Sequence, residues 1–109
     1  MRIACDRFGR SYLSAKVEDK LIDICIALEA LYLRGSQDSS GKGQTIGLAC
    51  SMLLGQDEKE RGEIFSTLAE AFKLRNNIVH GSPTNMEKIA SITPNIEDFL
   101  RRSLLCLIS

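Results

Sequence analysis

The stretch DEKERGEIFSTLAEAFKLRNNIVHGSP, residues Asp57 to Pro83, decides the fold. At about 100° per residue, Ile64, Phe65, Leu68, Ala71, Phe72, Ile78 and Val79 fall on one stripe, so the segment reads as one long amphipathic helix. Asp57-x-x-Glu60 is a capping-box start, and Gly81 supplies the stop. Arg75 lies near the middle of the apolar stripe, which points a permanent charge toward the core. Asn76 and His80, four residues apart, share one edge of the stripe, while Glu70, Lys73 and Asn77 fall on the opposite side. Burying a guanidinium costs several kcal/mol unless it is paired, so Arg75 needs either a partner carboxylate or a functional reason.

The partner comes from upstream. Val17 to Arg34 carries Val17, Leu21, Ile24, Cys25, Leu28 and Tyr32 on one face and Ile22, Ile26 and Leu33 on a second, which makes it the central helix. Asp23, Lys20 and Arg34 share its polar strip, whereas Glu29 projects between the two apolar faces, where it meets Arg75. Two readings of that pair stand open: a structural ion pair tying together the two longest helices, or a support that places catalytic groups.

The rest of the chain is also helical. Met1 to Ala15 has Ala4, Phe8 and Tyr12 at four-residue spacing, with Gly9 weakening that helix by about 1 kcal/mol relative to Ala. Its abrupt start fits either a domain taken from a longer protein or a very compact chain. Gly35 to Gly43 is a polar loop. Its Gly-Lys-Gly is not a phosphate loop: five residues separate Gly35 from Gly41, Gly43 rather than Ser or Thr follows Lys42, and a helix precedes. Thr45 to Leu54 gives a short core helix through Ile46, Leu48, Ala49, Met52 and Leu53, ended by Gly55. Thr84-x-x-Glu87 caps a short helix to about Ser91, and Thr93-Pro94 caps a last one, Asn95 to Ile108, with Ile96, Phe99, Leu100, Leu104 and Leu107 inward and Arg101 and Arg102 on the surface. The expected fold class is all-α, an antiparallel bundle of four to six helices forming a single domain over residues 1–109.

Composition narrows the function. At 109 residues and 44% hydrophobic content the chain suits one modest core. Lys plus Arg equals Asp plus Glu at 14 each, so an RNA contact would depend on a local cluster rather than a global field. Cys5, Cys25, Cys50 and Cys106 sit singly in apolar contexts, which favours reduced, buried thiols over disulfides or zinc and predicts a cytoplasmic protein. No apolar run reaches the length of a membrane span, no His/Cys/Asp/Glu set has metal-ligand spacing, and no cofactor is implied.

Around Arg75 to His80 the chain resembles the HEPN superfamily, whose signature is Arg, often followed by a polar residue, then His a short interval later near a helix end. Here Arg75, Asn76 and His80 stand with four residues between Arg and His. The resemblance is closest to the Apea-like HEPN branch: residues 24–31 (ICIALEAL) look like its Ala-Leu-Glu-x-Leu helix, and residues 72–81 (FKLRNNIVHG) like its segment ending Ile-Val-His-Gly. Together with the Leu53-Leu54-Gly55 stop, these cover most of the chain. The resemblance implies a dimerising helical bundle and, in active members, a metal-independent endoribonuclease used in toxin–antitoxin or antiviral defence. Inactive members bind a nucleotide, RNA or protein partner. Arg75, Asn76 and His80 are the catalytic candidates on that reading, with Glu29 in support. The expected partners are a second copy, an RNA substrate, and an antitoxin or adjoining domain. RNA cleavage through the 2'-OH wants both a base and an acid. The chain has one histidine, so a homodimer with a composite site is expected. The competing reading has His80 satisfying carbonyls of its own helix end and Arg75 pairing only with Glu29.

Overall fold

The computed structural model describes residues 16–33 and 41–108. These form four helices and no strand: α1 Val17–Tyr32, α2 Lys42–Leu54, α3 Glu58–Val79 and α4 Met86–Ile108. The expected Met1 to Ala15 helix with Cys5, the last residue of the expected second helix, Arg34, and Gly35 to Ser40 of the loop lie outside the described residues. The all-α class holds, and no helix among the described residues is long and apolar enough to cross a membrane.

The core is built from one face of each helix: Leu21, Ile24 and Leu28 of α1, Ile46 and Cys50 of α2, Ile64 and Leu68 of α3, and Ile89, Ile96 and Leu100 of α4. The expected double-faced character of α1 is present in graded form. On the first face Leu21, Ile24, Cys25 and Leu28 are buried, Tyr32 is half-buried and Val17 is exposed, and on the second Ile22, Ile26 and Leu33 are half-buried. Asp23, expected on the polar strip, is buried instead.

α3 starts as its sequence dictates. Asp57 Oδ1 accepts the Glu60 N–H at 2.8 Å, while Glu60 Oε1 accepts from the Gln56 N–H at 2.8 Å, one residue earlier than the usual reciprocal bond. Its inward face is rotated slightly from the expected stripe: Leu74 is buried, whereas Val79 is exposed and Phe65 and Ile78 are half-buried.

α2 differs most from expectation. It begins at Lys42, three residues before Thr45, because Gly41 takes a left-handed φ of 69° that turns the chain into the helix. Its buried side is Gly43, Ile46, Gly47, Cys50, Ser51 and Leu54, while Leu48 and Met52 are 59% and 65% exposed. The cause is backbone proximity. A Cβ on Gly43 would lie 2.9 Å from Phe72 Cβ, and one on Gly47 3.2 Å from Phe65 Cδ2, so α2 lies against α3 through its glycines, while Leu48 and Met52 turn outward. The contacts pair residue 43 with 72, 47 with 65, and 55 with 61, making α2 and α3 an antiparallel hairpin.

The two short C-terminal helices are one. α4 runs through Pro94 without a break. Its cap is Asn85 rather than Thr84: Asn85 Oδ1 accepts the N–H groups of Glu87 and Lys88 at 2.9 and 3.3 Å. Thr93, expected as a cap, is buried inside the helix and donates its hydroxyl to the Ile89 carbonyl at 2.6 Å. Arg101 and Arg102 both pair with Asp98, at 2.6 and 3.6 Å, and Leu107 is exposed rather than inward. Where α1 crosses α4, Tyr32 Oη and Ser103 Oγ are 2.6 Å apart, with Cys50 Sγ 3.8 Å from the same hydroxyl. Burial pushes the pKa values of Tyr32 and Cys50 up from their ordinary values, holding both groups protonated. Cys25 and Cys50 are free and buried as expected, whereas Cys106 is free and exposed.

Candidate active site

The C-terminal end of α3 is closed by backbone alone. Gly81 has φ 73°, its N–H donates to the Ile78 carbonyl at 3.1 Å, and the Ser82 N–H donates to the Asn77 carbonyl at 2.8 Å. This is the Schellman arrangement, which only a residue at ease with positive φ closes cheaply. With those carbonyls occupied by backbone donors, the His80 imidazole is not what satisfies the helix end. His80 is the C-cap residue and is exposed, and its ring makes no hydrogen bond among the described residues.

One turn earlier, Arg75 leaves the core margin rather than its centre, with a side chain 26% exposed. Its Nη1 donates to Asn76 Oδ1 at 3.2 Å, and its Nη2 stands 3.8 Å from Glu29 Oε1. The expected partnership with Glu29 is present, but at a separation too long for a hydrogen bond. Glu29 is shared, since Lys42 Nζ lies 3.5 Å from its Oε2. Arg75 Nε and Glu29 Oε1 are both buried and without a hydrogen-bond partner. An unmet donor and an unmet acceptor thus sit in the same charged cluster, each at a desolvation cost of about 1–3 kcal/mol. Beneath them Cys25 feels both charges, yet burial dominates and its thiol is pushed up to about 12.

An open cleft of about 730 Å³ lies between the first turn of α2 and the stretch of α3 from Phe65 to Asn77. Lys42 and Gln44 stand on one side and Lys73, Arg75, Asn76 and Asn77 on the other, over a floor that includes Ala69 and Phe72. Lys73 is exposed, as expected of the solvent side, and Asn77 is half-buried; both line the same open cleft as Arg75. Glu70 lines it as well, with its carboxylate 3.4 Å from Lys88 Nζ. His80 does not line the cleft. Within one chain the structure therefore brings Arg75, Asn76 and Glu29 together and leaves His80 beyond them on the outer surface.

Lys42 is the site residue that sequence reasoning misses. The sequence puts it in a loop, where no periodicity fixes a direction. The available signal is Gly43 and Gly47 at four-residue spacing, the mark of a helix face that approaches another backbone closely. Among the described residues, no group of three or more His, Cys, Asp or Glu side chains is placed to hold a metal ion. Compared with known proteins, the chain matches no family model, no curated protein and no solved structure.

Proposed function

We propose that this protein is a metal-independent endoribonuclease of the HEPN kind, acting in the cytoplasm in a toxin or antiviral defence setting, with Arg75, Asn76 and His80 as its catalytic residues. The observation that carries the reading is the condition of the two charged candidates. Arg75 is on a cleft with its Nε unsatisfied, and His80 presents an imidazole that its own helix end does not use. A structural pair would be expected to be closed by hydrogen bonds, and this one is not.

The chemistry follows from the groups. An imidazole takes the proton from a ribose 2'-OH, the oxygen attacks the adjacent phosphorus, the P–O5' bond breaks, and a protonated group returns a proton to the leaving 5'-oxygen. A guanidinium binds the phosphoryl oxygens as negative charge builds on them. Asn76, which accepts from Arg75 Nη1, orients that guanidinium and offers its amide N–H to the phosphate. Base and acid are two roles, and one chain has one histidine that stands outside its own cleft. A twofold dimer that sets the His80 end of one copy against the other would supply both imidazoles and two guanidiniums in one site.

Purified protein is incubated with total RNA and with structured tRNA, with and without EDTA. Cleavage is expected to persist in EDTA and to disappear in Arg75→Ala and in His80→Ala. Light scattering of the wild type and of a mixture of the two variants checks the dimer. Full cleavage by both variants would overturn the site, and a monomer cleaving at full rate would overturn the composite arrangement. The second reading, an inactive helical module holding a nucleotide, RNA or protein, rests on the Glu29–Arg75 pairing. It is favoured by an RNA-binding protein that cuts nothing.

A further inference from the structure

The Gly41-Lys42-Gly43 segment lies beside the proposed catalytic arginine, although its sequence is not that of a phosphate loop. We propose that Lys42 is a second phosphate-binding cation of the same site, and that the cleft between α2 and α3 carries the RNA phosphodiester next to the one being cut. The proposal rests on the ribonuclease reading of Arg75, Asn76 and His80.

Three observations support it. First, one carboxylate serves two cations from opposite walls: Lys42 Nζ at 3.5 Å and Arg75 Nη2 at 3.8 Å from the two oxygens of Glu29. Lys73, on the same cleft, forms no ion pair among the described residues, and Glu70 is engaged by Lys88. Lys42, Lys73 and Arg75 against Glu29 leave local positive charge in a chain whose formal net charge is zero. Second, the cations are held but not used up. Neither contact to Glu29 has hydrogen-bond length, so the partly exposed Lys42 ammonium and Arg75 Nη2 keep donors for an anion. Third, Lys42 is positioned by packing. Gly43 meets Phe72 with no room for a Cβ, which fixes the first turn of α2 against the turn of α3 that carries Arg75. The cleft, at about 730 Å³, is within the range of small-ligand sites and has amide side chains on its rim.

The test is binding of a single-stranded RNA oligonucleotide, 2'-O-methylated so that it cannot be cut, followed by fluorescence anisotropy over a salt series. The proteins are wild type, Lys42→Gln, Lys42→Arg, Lys73→Gln and Lys59→Gln, all checked for folding by circular dichroism. Lys59 lies in the first turn of α3, at the far end of that helix from Arg75. Lys42→Gln is expected to bind about tenfold more weakly, with the log–log salt slope smaller by about 0.7, the increment for one phosphate contact on a single strand. Lys42→Arg keeps the slope, Lys73→Gln lowers it, and Lys59→Gln matches wild type. If Lys42→Gln is unfolded, the exposed Lys73 decides: an unchanged slope in Lys73→Gln overturns the assignment. Wild-type affinity and slope in folded Lys42→Gln also overturn it, and leave the ribonuclease reading standing if Arg75→Ala and His80→Ala abolish cleavage. A wild type that binds no RNA overturns both.

Discussion

Two glycine-to-alanine substitutions, chemically identical, should move stability in opposite directions. Gly62 is exposed within α3, and a Cβ there meets nothing within 4 Å. Gly62→Ala removes backbone freedom from the unfolded chain and improves helix propensity, a gain of about 1 kcal/mol, or about 4 °C in Tm for a domain of this size. Gly43 offers the same gain at most, but its Cβ would lie 2.9 Å from Phe72 Cβ, closer than such atoms approach. Phe72 Cβ is fixed to the α3 backbone, so relief must come from retreat of the first turn of α2. Overpacking of this kind costs about 1–3 kcal/mol against a propensity gain of at most about 1 kcal/mol, which gives a net loss of up to about 2 kcal/mol. The same retreat carries Lys42 away from Arg75, so Gly43→Ala should also weaken RNA binding, whereas Gly62→Ala leaves it alone. Thermal and urea unfolding followed by circular dichroism read the first effect, and anisotropy reads the second. Stabilisation of Gly43→Ala by as much as Gly62→Ala would refute the close approach of α2 to α3 on which the placement of Lys42 depends.

Glu29→Ala, which leaves two cations without their shared carboxylate, should cost about 1–3 kcal/mol, discounted because the three side chains are 19–30% exposed. Glu70→Ala, at a more exposed pair, should cost under about 0.5 kcal/mol, and equal urea midpoints for the two variants would count against the Glu29 cluster. Burial pushes the Cys25 thiol from 9.0 up to about 12, so the folded protein holds its proton more tightly than the unfolded chain. That contribution is complete below about pH 9 and is lost as pH rises toward 12, at about 1.4 kcal/mol per unit. Urea midpoints at about pH 8 and about pH 10.5 should therefore fall less in Cys25→Ala than in wild type, and an equal fall would mean that Cys25 is not the buried proton holder. Alkylation of the native protein, mapped by mass spectrometry, should label exposed Cys106 well before Cys25 or Cys50, and preferential loss of Cys25 would contradict the core packing.

Much of the fold is legible in the sequence. The period of Ile64, Leu68, Ala71 and Phe72 is helical, Asp57 and Gly81 bracket the segment, and each behaves as its chemistry requires. The Arg75–Glu29 partnership is legible because a charge beside an apolar stripe demands an opposite one, and only Glu29 of the α1 acids projects between apolar faces. The sequence misleads where small residues replace large ones as the contact. Leu48 and Met52 count as core only if bulk points inward, whereas Gly43 and Gly47 let the backbone itself take that place. Polarity alone sends Asp23 outward, although its turn of α1 is covered. Lys42 stays hidden because a helix start after a polar loop has no periodicity to set its phase.

Pro94 gives the last helix two possible beginnings. A proline has no N–H to donate, so the Ala90 carbonyl has no partner in the helical ladder and must turn to water, which its exposed position allows. The first two turns, Met86 to Thr93, are thus joined to the rest by an incomplete set of backbone bonds, supplemented by the Thr93 hydroxyl on Ile89. If those turns unwind, the remainder does not need to follow: Pro94 is already suited to the first position of a shorter helix, and Thr93 is the residue type that caps one. Amide exchange should divide the helix there, with protection rising beyond Ile96, and the opening segment is the one whose Lys88 holds Glu70 at the border of the cleft. Fraying of that helix end would strip Glu70 of its Lys88 partner and lower the positive charge of the cleft, at the cost of uncovering Ile89.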